Sequence, residues 1–206
     1  MPRDKISESG PSREDISYPE YISNRESMMK FILAAISAFF AVASGQLFAA
    51  EAKELTVEQS IRINAPAAAV WAVAGDFNGL PNWLPTIAES VIVLGKNNQI
   101  GAIRQLTRRN GTKVTERLID YDPAAMRLGY TYVDQMVAAS DYFPVMIVKD
   151  AGDGTSIVEW RARFKRVAYW MDPPPAGQED QTLIDFFNKV YKSGLEALKQ
   201  KLESGQ

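Results

Sequence analysis

The final stretch of the chain has the most regular pattern of apolar and polar positions. Between Asp180 and Glu203, apolar residues recur at spacings of three and four, as on a helix with one buried stripe. The stripe consists of Leu183, Phe187, Val190, Tyr191, Leu195, Leu198 and Leu202. Charged residues, mainly lysines, occupy the other side. The pattern predicts one long amphipathic helix, which must pack its stripe against another element.

The preceding segment predicts mainly strands. Apolar and polar residues alternate from Leu55 to Ile63, which is typical of a half-buried strand. A helix near residues 66–74 and a second short helix or turn near 76–85 come next. Six further strands are expected at 89–94, 102–107, 113–121, 127–133, 141–149 and 155–166. We predict an α+β fold, in which a seven-stranded antiparallel sheet wraps around the long C-terminal helix.

The chain before residue 53 has a different composition. Residues 1–27 are rich in Ser, Pro, Glu and Arg, as in a disordered leader. Residues 28–52 combine a lysine, an apolar run and a zone of small residues, the layout of a cleavable signal peptide. An uncleaved membrane anchor over residues 31–50 is the alternative. Because a signal peptide begins with positive charge, we expect translation to start at Met28 or Met29. The folded domain should occupy residues 53–206.

The chain contains no Cys and no His. This composition excludes thiol nucleophiles, Ser-His-Asp triads, disulfides and the usual zinc and haem ligands. We therefore expect no metal and no cofactor. Basic and acidic residues are equal in number from Lys53 onward, so the domain has no net charge to attract nucleic acid. An exported domain without disulfides is compatible with a periplasmic or secreted location.

Several short motifs follow one another in a fixed order. They are residues 65–71 (APAAAVW), 76–77 (DF), Leu80, Trp83, 101–104 (GAIR), 115–118 (TERL), 129–132 (GYTY), 141–142 (DY) and 154–160 (GTSIVEW). In this order they resemble the START-like helix-grip superfamily (SRPBCC), of the polyketide cyclase/dehydrase and lipid transport type. The resemblance extends from Leu55 to Leu202. It implies a cavity, closed at one end by two short helices, that holds an apolar molecule.

The resemblance implies three functions. An exported single domain of this size is similar to the accessory proteins of periplasmic methanol oxidation, so a small hydrophobic ligand and a periplasmic redox enzyme are the implied partners. An enzyme of the cyclase or dehydratase type is an alternative, and it would rely on Asp76, Glu116, Tyr132 or Tyr142. A lipid carrier at the cell envelope is another, with Trp170 and Met171 touching the membrane. The absence of His and Cys favours binding over catalysis.

Arg104 and Glu116 are the polar candidates for a ligand site. If Asn110-Gly111 forms a two-residue hairpin, Arg104 and Glu116 point to opposite faces, whereas a bulge would place them on one face. Inside the fold they would have to pair with each other or bind a polar group of the ligand. The alternative is an exposed surface pair of little energetic weight.

The other candidates are aromatic. Pockets for flat or long apolar ligands combine apolar walls with a few phenols. Trp83, between two prolines, could cover the mouth of such a pocket and offer its N–H group. The remaining ligand-binding candidates are Tyr132, Tyr142, Trp160, Phe164, Phe187 and Tyr191. Ordinary core packing is the alternative for the whole set.

Overall fold

The computed structural model describes residues 51–134 and 138–204. The expected leader and nearly all of the expected signal peptide lie outside these residues. The elements are β1 (Glu54–Ile63), α1 (Ala67–Ala74), a 3₁₀ turn (Leu80–Asn82), β2 (Ile87–Leu94), β3 (Ile103–Arg108), β4 (Lys113–Asp122), β5 (Arg127–Tyr132), β6 (Ala139–Asp150), β7 (Ser156–Arg166) and α2 (Asp180–Glu203). No helix within the described ranges is both long and apolar enough to cross a membrane.

The described strands form one antiparallel sheet in the order β1-β7-β6-β5-β4-β3-β2. The sequence therefore predicted the fold class correctly, and the seven strands lie within two residues of their expected bounds. The second predicted element, a short helix or turn near 76–85, is a 3₁₀ turn over Leu80–Asn82. Pro81 lies within this turn and Pro85 follows it, and proline does not donate the backbone bonds that a longer helix needs.

Helix α2 begins and ends at the residues that its periodicity predicts. It packs against β1 and β7, and its stripe supplies the centre of the core. Leu183, Phe187, Tyr191, Leu195 and Leu198 are all buried. Burying each such side chain contributes about 1.5–3 kcal/mol, so this stripe is a major part of the folding free energy. The side chains between the sheet and α2 form the core of the domain.

The β3–β4 hairpin determines which polar side chains share a face. Arg104 lies directly opposite Glu116. The Arg108 N–H donates to the Thr112 carbonyl, and Gly111 has the left-handed φ of 83°. A three-residue turn that ends in a left-handed residue is a G1 bulge. Of the two registers that the sequence allowed, the bulged one is observed, and both side chains point inward.

Gly194 lies on the buried side of α2, where the Trp160 ring comes close. A Cβ atom at this position would lie 2.7 Å from Trp160 Cζ3. We expect Gly194→Ala to lower the free energy of unfolding by about 1–2 kcal/mol, because overpacking outweighs the gain in helix propensity. Urea denaturation measures the change. Ser193→Ala, on the exposed side of the same turn, is the control, and equal stability of the two variants would contradict the expectation.

Candidate ligand-binding site

A pocket of about 470 Å³ lies between the inner face of the sheet and α2. It opens where the β3–β4 hairpin and the segment after the 3₁₀ turn approach the first half of α2. The apolar lining includes Leu80, Leu84, Ile87, Leu106, Val114 and Val190, and the aromatic lining comprises Tyr130, Tyr132, Tyr142, Trp160, Phe186 and Tyr191. Glu116, Arg108 and Arg109 supply the charged groups of the lining. The pocket is therefore mainly aromatic and apolar, with phenol and charged groups in its wall.

Stacked rings build one wall of the pocket. Tyr132 stacks on Tyr142 at a centroid distance of 4.5 Å and an interplanar angle of 13°. Trp160 stacks on Tyr191, also at 4.5 Å, with an angle of 6°. The two stacks are joined by a hydrogen bond of 2.6 Å between the Tyr142 and Tyr191 hydroxyls. The wall therefore consists of flat rings held in fixed orientations, with a polar contact at its centre.

Burial keeps the phenols of this wall neutral. It raises the pKa of Tyr130, Tyr142 and Tyr191 well above the usual phenol value, because a phenolate would lose its hydration. Burial also raises the pKa of Tyr132, and the charge of Glu116 acts in the same direction. At neutral pH these hydroxyls can donate and accept hydrogen bonds, but they cannot serve as bases.

The raised pKa values of the buried phenols predict a loss of stability in alkali. The folded protein keeps these protons at pH values where an unfolded tyrosine has lost them. The contribution of these tyrosines to the free energy of unfolding is therefore complete below about pH 10 and decreases above it. We expect the urea midpoint to fall between pH 8 and pH 11. Tyr191→Phe should reduce this fall, whereas Tyr169→Phe, at an exposed site, should not. A wild-type midpoint that is equal at both pH values would contradict the prediction.

Glu116 and Arg104 form a buried ion pair at the pocket wall. Arg104 Nε and Nη2 donate to Glu116 Oε2 at 2.8 and 2.6 Å. Arg104 also donates to the Phe77 carbonyl, and its guanidinium lies over the Phe77 ring, 4.1 Å from the centroid. The guanidinium carbon is 5.3 Å from the Tyr130 centroid. The negative charge of the Glu116 carboxylate at the pocket wall is thus already balanced by Arg104, which lies behind it.

The structure brings five of the nine candidate residues together at the pocket: Glu116, Tyr132, Tyr142, Trp160 and Tyr191. The other four are buried but do not line it. Arg104 lies behind Glu116, and Trp83 packs edge-on against Trp160 at 6.2 Å. Phe187 stacks on Tyr142 at 4.7 Å, so the Tyr142 ring separates it from the pocket. Phe164 packs against Phe187 at 4.8 Å. Ligand contact by the five stays a prediction.

Arg108 and Arg109 are lining residues that the sequence reasoning missed. They precede the Asn110-Gly111 turn, where paired arginines resemble ordinary surface charges. A signal for Arg108 was nevertheless present, because alternation along β3 places residues 104, 106 and 108 on one face. Once Arg104 points inward, Leu106 and Arg108 must do so as well.

Two other groups named by the sequence lie elsewhere. Asp76 Oδ1 accepts hydrogen bonds from the Asn78 N–H and from Asn97 Nδ2, so it stabilises a loop outside the pocket lining. Trp170 and Met171 are exposed and also lie outside the lining. Contact of these two residues with a membrane stays a prediction. No cluster of acidic side chains that could hold a metal ion occurs in residues 51–134 or 138–204.

A sheet that wraps one long helix and leaves an aromatic pocket beside it defines the helix-grip class of domains. The family model for polyketide cyclase / dehydrase and lipid transport matches residues 54–203. The chain therefore belongs to this family, as its motifs indicated. Small hydrophobic ligands are the partners that membership suggests. Membership of the methanol-oxidation branch within this family stays a prediction.

Individual relatives agree with the family. MLP-like protein 423 from Arabidopsis thaliana is 26% identical over 139 residues, which cover 64% of this chain and 86% of that protein. The structure of XoxI from Bacillus cereus is 28% identical with a TM-score of 0.62, covering 71% of this chain and 94% of that one. The structure of the Zhui aromatase/cyclase from Streptomyces sp. R1128 is 20% identical with a TM-score of 0.59, covering 73% of this chain and 94% of that one. This last likeness shows the fold alone.

Proposed function

We propose that this chain is an exported binding protein that holds a small hydrophobic molecule in the aromatic pocket. The observation that carries the proposal is the pocket itself: about 470 Å³, walled by the two stacked ring pairs. Pockets for small ligands measure about 300–1,000 Å³ and combine apolar walls with a few polar groups. The family description, which names lipid transport, supports the same class of ligand.

The state of the polar groups favours binding over catalysis. A general base needs a free acceptor near its substrate, and a general acid needs a proton that it can release near neutral pH. The Glu116 carboxylate is engaged by Arg104, and burial raises the pKa of the Tyr132 and Tyr142 phenols. The two phenols therefore keep their protons at neutral pH, and Glu116 is held in an ion pair through Oε2. They can instead orient a ligand by hydrogen bonding.

Export is part of the proposal. It is supported by the signal-peptide layout of residues 28–52 and by a domain that contains no Cys. We propose the periplasm, or the medium, as the site of action. An accessory role beside a periplasmic redox enzyme is supported only by the resemblance to methanol-oxidation proteins. Mass measurement of the mature chain tests export, because cleavage after Ala50 or Ala52 gives defined masses.

Native mass spectrometry on the protein isolated from its own host tests ligand binding. We expect an adduct of a few hundred daltons that is lost on denaturation. Val190→Trp should prevent the adduct, because the indole would fill the pocket from the side of α2. Lys189→Trp, at the adjacent exposed position, is the matched control and should retain it. An adduct that survives Val190→Trp unchanged, or its absence from the wild-type protein, would contradict binding in this pocket.

A further inference from the structure

The mouth of the pocket carries positive charge without a counter-charge. Arg108 is half-buried and Arg109 is exposed, and both belong to the lining. The one lining carboxylate, Glu116, is already bound by Arg104. Among the described residues, no ion pair includes Arg108 or Arg109. The two guanidinium groups thus face an apolar pocket with no acidic partner from the described protein.

Backbone contacts hold Arg109 at this rim. Its Nε donates to the Pro85 carbonyl, and its backbone N–H donates to the Thr86 carbonyl at 3.0 Å. The side-chain bond uses only Nε, so the terminal N–H groups of the guanidinium need not break it to bind a ligand. The segment that follows the 3₁₀ turn therefore positions one arginine across the opening.

Arg108 lies close enough to the stacked rings for its charge to affect them. Burial and the charge of Glu116 raise the pKa of Tyr132, while the positive charges of Arg108 and Arg104 act in the opposite direction. Arg104 is held by Glu116, whereas Arg108 is not. Arg108 and Tyr132 therefore line the same pocket within electrostatic reach of each other.

We propose that the pocket selects flat apolar anions, whose carboxylate, sulfonate or phosphate group binds Arg108 and Arg109 at the mouth while the apolar body enters between the rings. The inference rests on the proposed function and adds a charge and an orientation to the ligand. Guanidinium groups donate two parallel hydrogen bonds to such anions, and contacts at a half-buried position are stronger than in open water. A neutral molecule of the same shape gains neither the two parallel hydrogen bonds nor the attraction between opposite charges.

Two fluorescent probes with one aromatic body test the charge. 1-Anilinonaphthalene-8-sulfonate and N-phenyl-1-naphthylamine differ by the sulfonate, and their dissociation constants are measured by titration of the purified protein. We expect the sulfonate to bind about tenfold more tightly, since a hydrogen bond to a charged group is worth about that factor. Arg108→Gln with Arg109→Gln should remove this advantage, so that the two probes bind with similar dissociation constants.

Control variants separate this inference from the function on which it rests. Arg117→Gln removes one positive charge from an exposed position on β4 and should leave the ratio of affinities unchanged. The anion contact is overturned if the wild-type protein binds the two probes with similar affinity. It is also overturned if Arg117→Gln reduces the preference for the sulfonate probe as much as the double arginine variant does. In both cases the pocket still binds the probes. If Val190→Trp abolishes neither probe's binding, or neither probe binds the wild type, the proposed function fails as well.

Discussion

Glu116→Gln should lower the free energy of unfolding by about 3–5 kcal/mol, because it leaves the Arg104 guanidinium buried without a counter-charge. Arg104 is only 2% exposed, so water cannot replace the lost carboxylate. Glutamine keeps the size and shape of the side chain, and the loss therefore measures charge rather than packing. Urea denaturation followed by circular dichroism provides the measurement, and the pocket wall should lose order together with the ion pair.

Asp120→Asn is the matched control for this substitution. Asp120 lies on the same strand and accepts from Arg127 Nε at 2.7 Å, but the side chains of this pair are 28% and 39% exposed. Exposed pairs contribute about 0–1 kcal/mol. Replacing both buried partners, as in Arg104→Met with Glu116→Leu, should recover most of the stability. Equal losses in Glu116→Gln and Asp120→Asn would show that the buried pair is not desolvated.

Phe187→Ala should cost about 3–5 kcal/mol through the cavity that it creates. Phe187 is 1% exposed and contacts Tyr142, Phe164 and Tyr191 with ring centroids 4.7, 4.8 and 6.3 Å away. Its removal takes the support from behind the Tyr142 ring. We therefore expect both a lower urea midpoint and a weaker affinity for the pocket probes.

The neighbouring phenylalanine is the control for this prediction. Phe186 is 40% exposed and lines the pocket instead of the core. Phe186→Ala should change stability by about 1 kcal/mol or less, since little buried surface is lost. It should nevertheless alter probe affinity. If the two alanine variants are equally stable, the assignment of Phe187 to the core and Phe186 to the pocket is wrong.

The sequence predicted the fold well because its signals are local. The helical period of α2 continues from Asp180 to Glu203 without interruption, and the strands are separated by Gly, Asn, Asp and Pro. The same residues could not decide the β3–β4 register, since Asn110-Gly111 is compatible with two hairpins. A shift of one residue moves every side chain to the other face, so the location of Arg104 and Glu116 needed the structure.

The sequence could not rank the aromatic candidates for the pocket lining. The sequence offered three equally good candidates in Tyr132, Tyr142 and Phe187. The Tyr142 ring is stacked on both other rings, and Tyr142 lines the pocket whereas Phe187 does not. Such shielding depends on the order of rings in space, which no spacing along a strand or helix records. Arg108, at the end of β3, and Arg109, in the turn, were missed for a different reason, because charged residues at the end of a hairpin usually face solvent.

Different sides of helix α2 face the core and the pocket. Leu183, Phe187 and Leu198 face the core, while Phe186 and Val190 lie on the flank that lines the pocket. Substitution at the two flanking positions can therefore reshape the pocket at little cost to folding. Relatives that bind differently shaped molecules should diverge first at 186 and 190 and keep the core-facing residues Leu183, Phe187 and Leu198. Ligand preference in this fold can evolve largely independently of stability.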